Sequence, residues 1–330
     1  MSRSFDTGKF VISLDFELLW GVRDKRTIEN YGTNILGVRK VIPSLLELFA
    51  KYDVKATFST VGFLFAKNKE QLLAHCPAVR PGYIDTNLSP YLDLGEIGND
   101  ENDDSYHFGY SLLRQIKDNG KHEIGTHTFC HYYCLEPGQT PEAFMHDLAA
   151  AKKIAAASYV ELKSLVFPRN QFNEEYLSVC REIGIESFRG NPVSWLYSGR
   201  NKNEETLIRR ALRFADMYLN LTGYHCHTRE YVSSSMLKNI AASRFLRPYS
   251  KKLSFLDSLR LRRIKKAMLH AAKNKKLYHL WWHPHNFGIN LEKNIEFLEK
   301  ILVYYSFLKE KYNFSSDTMS GIADQLRAEG

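Results

Sequence analysis

The sequence lacks the features that mark membrane, secreted and fibrous proteins. No apolar run approaches the 18 or so residues of a membrane span, so we expect none. The start of the sequence has no charged segment followed by an apolar core, so we expect no signal peptide. Glycine (19) and proline (10) are scarce among 330 residues, which excludes collagen-like and disordered chains. With 44% hydrophobic and 25% charged residues, the composition is that of a globular protein.

Cysteine is also scarce, and its spacing excludes common structural roles. The chain has five cysteines, an odd number, and Cys130 and Cys134 have no second pair downstream to complete a zinc ribbon. We therefore expect reduced thiols and a cytoplasmic protein.

Charge of one sign is nearly absent from two segments. Residues 244–276 contain 12 Lys and Arg but one acid, a local charge of +11, whereas the whole chain carries +8. Residues 81–105 contain seven acids and no Lys or Arg. The basic segment is either a helix with a solvated charged face or a contact for anionic lipid headgroups or a phosphate-bearing glycan carrier. No pattern typical of nucleic-acid binding accompanies it, so we expect no nucleic-acid partner.

Strand-like and helix-like segments alternate along the chain. This pattern predicts a parallel sheet covered by helices, in one domain over 1–330 with an acidic insertion at 67–106 and a basic helical insertion at 244–276. A barrel is favoured over a doubly wound sheet, because polar residues follow the strand ends where barrel active sites lie. The predicted strands are 9–16, 55–61, 121–127, 164–167, 185–189 and 277–282, and the predicted helices are 34–52, 110–118, 141–159, 174–183, 204–219, 255–274, 292–312 and 318–328.

Two carboxylates end the first predicted strand. Asp15 and Glu17 are two residues apart, so they point to the same face of the strand. Acids on an apolar strand are costly unless they are hydrogen-bonded, paired or bound to a metal. The pair is therefore either a structural salt-bridging pair or part of a functional site.

Histidine and arginine follow three other strands. His127 and His131 can converge on one divalent transition metal if the chain turns between them. His283, beside two tryptophans, is a candidate general acid or base, and Arg169 could hold a carboxylate ionised. The alternatives are structural histidines and an exposed loop arginine.

Taken in order, these segments resemble the polysaccharide deacetylase superfamily (carbohydrate esterase family 4, the nodulation-type deacetylase domain). The resemblance covers about residues 10–290. The His-Thr segment in its Gly-Thr-His context is the most specific match and the tryptophan loop the least. The matching segments are Ser13–Glu17, His127-Thr128-x-x-His131, Pro168-Arg169, Trp195 and Leu280–His283.

The resemblance implies a distorted (β/α) barrel of seven or eight strands that uses a divalent metal, usually zinc, to hydrolyse an N-acetyl group on a sugar. It also implies residue roles. Asp15 would be the base that activates water, and Arg169 would orient it. His127 and His131 would bind the metal, and His283 would protonate the leaving amine.

The sequence departs from the family pattern at two places. The second aspartate of the family falls on Phe16, which cannot bind a metal, so we expect Glu17 to be the third ligand. The tryptophan loop lacks the aspartates that normally tune the catalytic histidine. Trp20, Trp195 and Trp282 are candidate substrate contacts.

The sequence therefore predicts a metal-dependent hydrolase that removes an N-acyl group from a sugar. The substrate would be a cell-envelope glycan or its lipid- or nucleotide-linked precursor, and contact with an anionic membrane through 244–276 is a further expectation. Two alternatives stay open: a metal-independent amidohydrolase of the cyclic ureide or imide type, and a catalytically weakened barrel that binds glycans or membranes.

Overall fold

The computed structural model describes residues 4–198, 206–234 and 237–328. Its strands form a single sheet whose ladders are all parallel, as predicted. They are β1 (Lys9–Phe16), β2 (Thr57–Thr60), β3 (Glu123–Thr126), β4 (Ser164–Leu165), β5 (Ser187–Phe188), β6 (Lys238–Asn239), β7 (Arg244–Phe245), β8 (Leu277–Trp282) and β9 (Ser315–Asp317).

The sheet curls until its two edges meet in one extended segment. Its order is β6-β5-β4-β3-β2-β1-β8-β7, with β9 beside β1, so β6 and β7 lie at opposite edges. Only four residues separate these two strands in the chain. The amides of Ile240 and Ala242 donate to the β5 side, and the next amide, that of Ser243, donates to His279 on β8. The predicted barrel-like α/β fold is therefore confirmed, and the carboxyl ends of its strands converge at one mouth.

Helices cover the outside of the sheet. They are α1 (Ile28–Lys51), α2 (Lys69–His75), α3 (Tyr110–Asn119), α4 (Pro141–Ala156), α5 (Glu174–Glu182), α6 (Leu207–Asp216), α7 (Arg229–Ser233), α8 (Asp257–Lys273), α9 (Leu291–Tyr312) and α10 (Met319–Ala328). α1 begins six residues before its predicted start, because Thr27 and Asn30 form a capping box there. The first two residues of the predicted helix 204–219 lie outside the described residues. None of the described helices has the length and apolarity needed to cross a membrane.

Alternation along β1 separates the two sides of the sheet. Phe10, Ile12, Leu14 and Phe16 pack into the large core under the helices. The other face points into the barrel. There Val11 joins a small apolar cluster with residues of β8 and α10, which seals the barrel opposite the mouth. Polar residues that follow on this face therefore point toward the mouth.

The two charged insertions are tied to the body of the domain. In the acidic one, Asp93 pairs with Arg23 and Glu101 pairs with Arg39. In the basic one, Arg260 and Arg263 of α8 are buried rather than solvated. Some of the acids of the first insertion therefore form ion pairs with the body of the domain, and some of the arginines of the second are buried instead of facing solvent.

Candidate active site

A buried glutamate lies at the centre of four imidazoles. The Oε2 atom of Glu17 is 3.3 Å from Nε2 of His127 and 3.1 Å from Nε2 of His131. Its Oε1 atom is 3.3 Å from Nε2 of His285 and 3.7 Å from Nε2 of His283. The structure thus brings together Glu17, His127 and His131, the three ligands expected from the sequence, and places His283, the expected general acid, beside them. His285, also in the loop after β8, is a histidine that the sequence analysis did not single out.

The turn that follows β1 fixes Glu17 in place. Glu17 precedes a short 3-10 turn, Leu18–Gly21, and Leu18 adopts a left-handed φ of 47°. A Cβ atom at Gly21 would lie on the Glu17 carboxylate. Position 21 therefore requires glycine because the turn closes directly over the functional side chain.

A strained turn presents His127 and His131 to the same carboxylate. Thr128 and His131 both have left-handed φ angles, 64° and 61°, which are costly for residues other than glycine. Asp147 of α4 offsets this cost, since its carboxylate accepts the backbone N–H groups of Phe129 (2.7 Å) and Cys130 (3.1 Å). A helix outside the barrel therefore positions the histidines inside it.

The environment of Glu17 favours its ionised form. Burial alone would raise the pKa of this carboxyl, but the imidazoles of His283, His127 and His131 outweigh it and hold the pKa well below its ordinary value. Burial lowers the pKa of both His131 and His285 to about 4 despite the attraction of Glu17. These two imidazoles are therefore neutral near pH 7, as metal ligands must be.

Asp15, two residues before Glu17, is held by an arginine. Arg189 follows β5 and binds both oxygens of Asp15, at 2.7 and 2.8 Å, and also the Ser13 hydroxyl at 3.0 Å. Burial raises the pKa of Asp15, but Arg189 outweighs it, and the pKa is lowered. His283 lies 3.6 Å from Asp15 Oδ2, and its side chain is 24% exposed, so it borders both the carboxylate and the mouth.

Arg189 occupies the position expected of Arg169, which is a correction to the sequence-based prediction. Arg169 instead pairs with Asp24 and Glu136 on the rim. It lies in a turn where both it and Asn170 have left-handed φ angles, and it is Asn170 that reaches Arg189, at 3.1 Å. The sequence held only a weak signal for Arg189, which ends the predicted strand 185–189 and therefore lies at a strand end like the other site residues.

Two of the three candidate tryptophans cannot contact a substrate directly. Trp20 is 1% exposed and donates to the His107 carbonyl, and Trp282 is fully buried. Trp195 is 61% exposed and lies on the loop after β5. Trp281, beside the buried Trp282, is the tryptophan that faces the site: Arg189 stacks on its ring at 4.0 Å, and the His283 ring is 5.6 Å away.

The buried donor set fits a divalent metal. His127 Nδ1 lies 2.7 Å from the carbonyl of Val166, to which it donates, so its Nε2 directs a lone pair toward Glu17 when the ring is neutral. Glu17 Oε2 and both ring nitrogens of His285 are buried with no hydrogen-bond partner among the described residues. Lone pairs that face a carboxylate are satisfied by a cation. Two overlapping groups have suitable spacing: Glu17, His127 and His131, and Glu17, His283 and His285.

Strand ends that converge on a Glu–His cluster beside an Asp–Arg pair define a hydrolase-like α/β barrel. Residues 30–188 match the family model for polysaccharide deacetylase. This segment, slightly less than half of the chain, is therefore similar to polysaccharide deacetylases. The matched region contains His127 and His131 but not Asp15, Glu17 or His283. No curated protein sequence matches the chain.

Solved structures support the fold. A protein from Mycobacterium smegmatis, provisionally described as a polysaccharide deacetylase, aligns with a TM-score of 0.63 at 13% identity, over 99% of this chain and 94% of that one. The allantoinase Puue aligns with a TM-score of 0.52 at 12% identity, over 97% and 89%. At these identities the likeness is one of fold alone.

Proposed function

We propose that this protein is a metal-dependent hydrolase that removes an N-acyl group, in the first place acetyl, from an amino sugar. The observation that carries the proposal is the Glu17 carboxylate, buried among four imidazoles and two residues from the Asp15–Arg189 pair. A structural salt bridge would not need a second buried carboxylate and four histidines at one mouth.

Glu17, His127 and His131 would hold the metal, with zinc the first candidate because imidazole and carboxylate suit it. A bound divalent ion would polarise the acyl carbonyl and make water a better nucleophile. The lowered pKa of Asp15 keeps it ionised, so it can accept a proton from the attacking water. The bidentate contact with Arg189 fixes the orientation of this base.

His283 is placed to complete the hydrolysis. It lies between Asp15 and Glu17 at the mouth, and its Nδ1 is 3.3 Å from the Asn286 side chain. As water adds and the carbon–nitrogen bond breaks, the leaving nitrogen needs a proton, and we assign its donation to His283. The products are a carboxylate and a free amine on the sugar.

The two alternatives make different use of the same residues. A metal-independent ureide or imide hydrolase would not need the neutral, buried imidazoles of His131 and His285 around Glu17. A barrel that only binds glycans would not need a preformed Asp15–Arg189 pair. The site as a whole therefore favours metal-dependent turnover.

The test is metal dependence of acyl release. Protein stripped with a chelator is titrated with zinc while zinc binding and acetate release from N-acetylated sugars are measured. We expect one ion per chain and activity that rises with occupancy. Chelator-insensitive turnover of cyclic ureides would instead favour the second enzyme class, and glycan binding without turnover would favour the binding barrel.

We further propose that the protein works in a reducing compartment on an envelope glycan precursor. All five cysteines are free, three of them fully buried, which is typical of cytoplasmic proteins. The exposed face around α8 carries Arg262, Lys266, Leu259 and Phe255, a mixture of cations and apolar residues suited to an anionic membrane. Binding to vesicles that contain phosphatidylserine, and not to neutral vesicles, tests this contact.

A further inference from the structure

A large cavity adjoins the candidate active site on the side of α6 and β7. Its volume is about 1130 Å³. Trp281 and Phe245 form one wall, and their rings lie 5.6 and 6.0 Å from that of His283. Arg169 lines another side and stacks 3.9 Å over Tyr133, whose hydroxyl contacts His131. The cavity is therefore lined by residues that adjoin His283 on one side and, through Tyr133, His131 on the other, although neither histidine is in its wall.

The cavity wall has a strong excess of positive charge. Among the described residues of this wall there are six cations and one acid, Glu136. The positive charge of Arg169 is balanced by ion pairs with Asp24 and Glu136. In contrast, Arg210 and Arg247 form no ion pair with a carboxylate among the described residues. The six cations are Lys25, Arg169, Arg210, Arg213, Arg244 and Arg247.

One of these cations is buried in the wall. Arg244 is 5% exposed and lies 3.3 Å from Asp216, a carboxylate that also faces Arg263 at 3.6 Å. Two guanidinium groups thus share one carboxylate, and Nε of Arg244 has no hydrogen-bond partner among the described residues. Buried positive charge without full compensation is costly unless an anionic ligand supplies the remainder.

We infer that this cavity binds a phosphate or diphosphate ester carried by the sugar. This inference rests on the proposed function, because it places the N-acyl group beside His283 and Glu17 while the phosphate lies between α6 and β7. Arginine forks match phosphate oxygens in pairs, and Phe214 supports Arg247 by stacking at 4.8 Å. The side-chain amides of Asn170 and Asn191, also in the wall, suit sugar hydroxyls.

Direct binding tests the inference without requiring turnover. Calorimetry would measure the binding of inorganic pyrophosphate, UDP and farnesyl diphosphate to the wild-type protein and to Arg210→Gln and Arg247→Gln. Each substitution removes charge-assisted hydrogen bonds, so affinity should fall about tenfold or more. Arg114→Gln, on the exposed face of α3, removes the same charge elsewhere and should change nothing. The lysine variants Arg210→Lys and Arg247→Lys should restore part of the affinity, which separates lost charge from a damaged fold.

The three probes distinguish the source of the phosphate. Tight binding of UDP points to a nucleotide-linked sugar, of farnesyl diphosphate to a lipid-linked one, and of pyrophosphate alone to recognition of the phosphates only. The inference is overturned if no probe binds, or if both glutamine variants bind as wild type does. Probe binding without deacylation would refute the proposed function but support the anion site. Deacylation without probe binding would support the proposed function and refute the anion site.

Discussion

Asp15 and Glu17 lie on the same face of one strand end, yet the fold gives them different neighbours. Asp15 meets a guanidinium that is permanently charged, and Glu17 meets imidazoles of which two are neutral near pH 7. Both carboxyls are buried and both have lowered pKa values. Because burial is common to both, the type of partner is what distinguishes the proposed proton acceptor, Asp15, from the proposed metal ligand, Glu17.

The largest expected effect comes from removing the proposed proton acceptor, Asp15, alone. Asp15→Asn keeps the shape of the side chain but not its basicity, so acyl release should fall by about 10²- to 10⁴-fold. Zinc stoichiometry should stay at one per chain, because Glu17 and the histidines are untouched. Measuring both quantities on the same preparation checks the separation; a variant that loses its zinc as well would show that the two carboxylates act as one unit.

Removing the other carboxylate should reverse this pattern. In Glu17→Gln, zinc affinity should fall by more than the 10- to 100-fold typical of losing an outer-shell partner, and excess zinc should recover part of the activity. Gly21→Ala should act in the same direction, because its Cβ would displace the Glu17 carboxylate. Competition with a chromophoric chelator gives the affinities. Unchanged zinc binding in both variants would show that Glu17 is not a metal ligand.

Breaking the Asp15–Arg189 pair from its other side should cost stability. In Arg189→Met a buried carboxylate is left without its cation, which typically costs about 3–5 kcal/mol of unfolding free energy. Arg114→Met removes an exposed ion pair with Asp118 and should cost about 1 kcal/mol or less. Urea unfolding of both variants measures the difference. Equal losses would mean that Arg189 is not the partner that matters.

The sequence was enough to predict which strand ends lie together at the mouth. It was not enough to predict which arginine contacts Asp15. Alternation along β1 was enough to place Asp15 and Glu17 together, and the strand–helix order brought His127, His131 and His283 to the same mouth. The choice between Arg169 and Arg189 depends on the turn after β4, where two left-handed residues redirect the chain. Local propensity does not reveal such a turn, because the residues that adopt it are not glycine.

The tryptophan error has a different cause, since the necessary information was present. The bounds of β8 were predicted correctly, and His279 on the same strand faces the barrel, where it contacts Ser13 at 2.8 Å. Residues of the same parity share a face, so Trp281 and not Trp282 points inward with His279. His285 lies beyond the strand, in a 3-10 turn, and alternation could not assign it.

The last expected effect is a change of stability with pH, and it separates the buried histidines from the two carboxylates. Burial is the main cause that lowers the pKa of His279 to about 3 and those of His122, His225 and His227 to about 4. These groups bind protons near pH 6.5 when unfolded, so their stabilisation is present above that pH and is lost as the pH falls toward 4. The slope is about 1.4 kcal/mol per pH unit for each proton taken up on unfolding. Asp15 and Glu17 have lowered pKa values, so their contribution to the unfolding free energy is kept until the pH is lower still.

The test is urea unfolding as a function of pH. His279→Gln should reduce the slope of unfolding free energy against pH between pH 6.5 and 4, whereas the exposed His146→Gln should leave this slope unchanged. An unchanged slope in His279→Gln would mean that this imidazole is already charged in the folded protein.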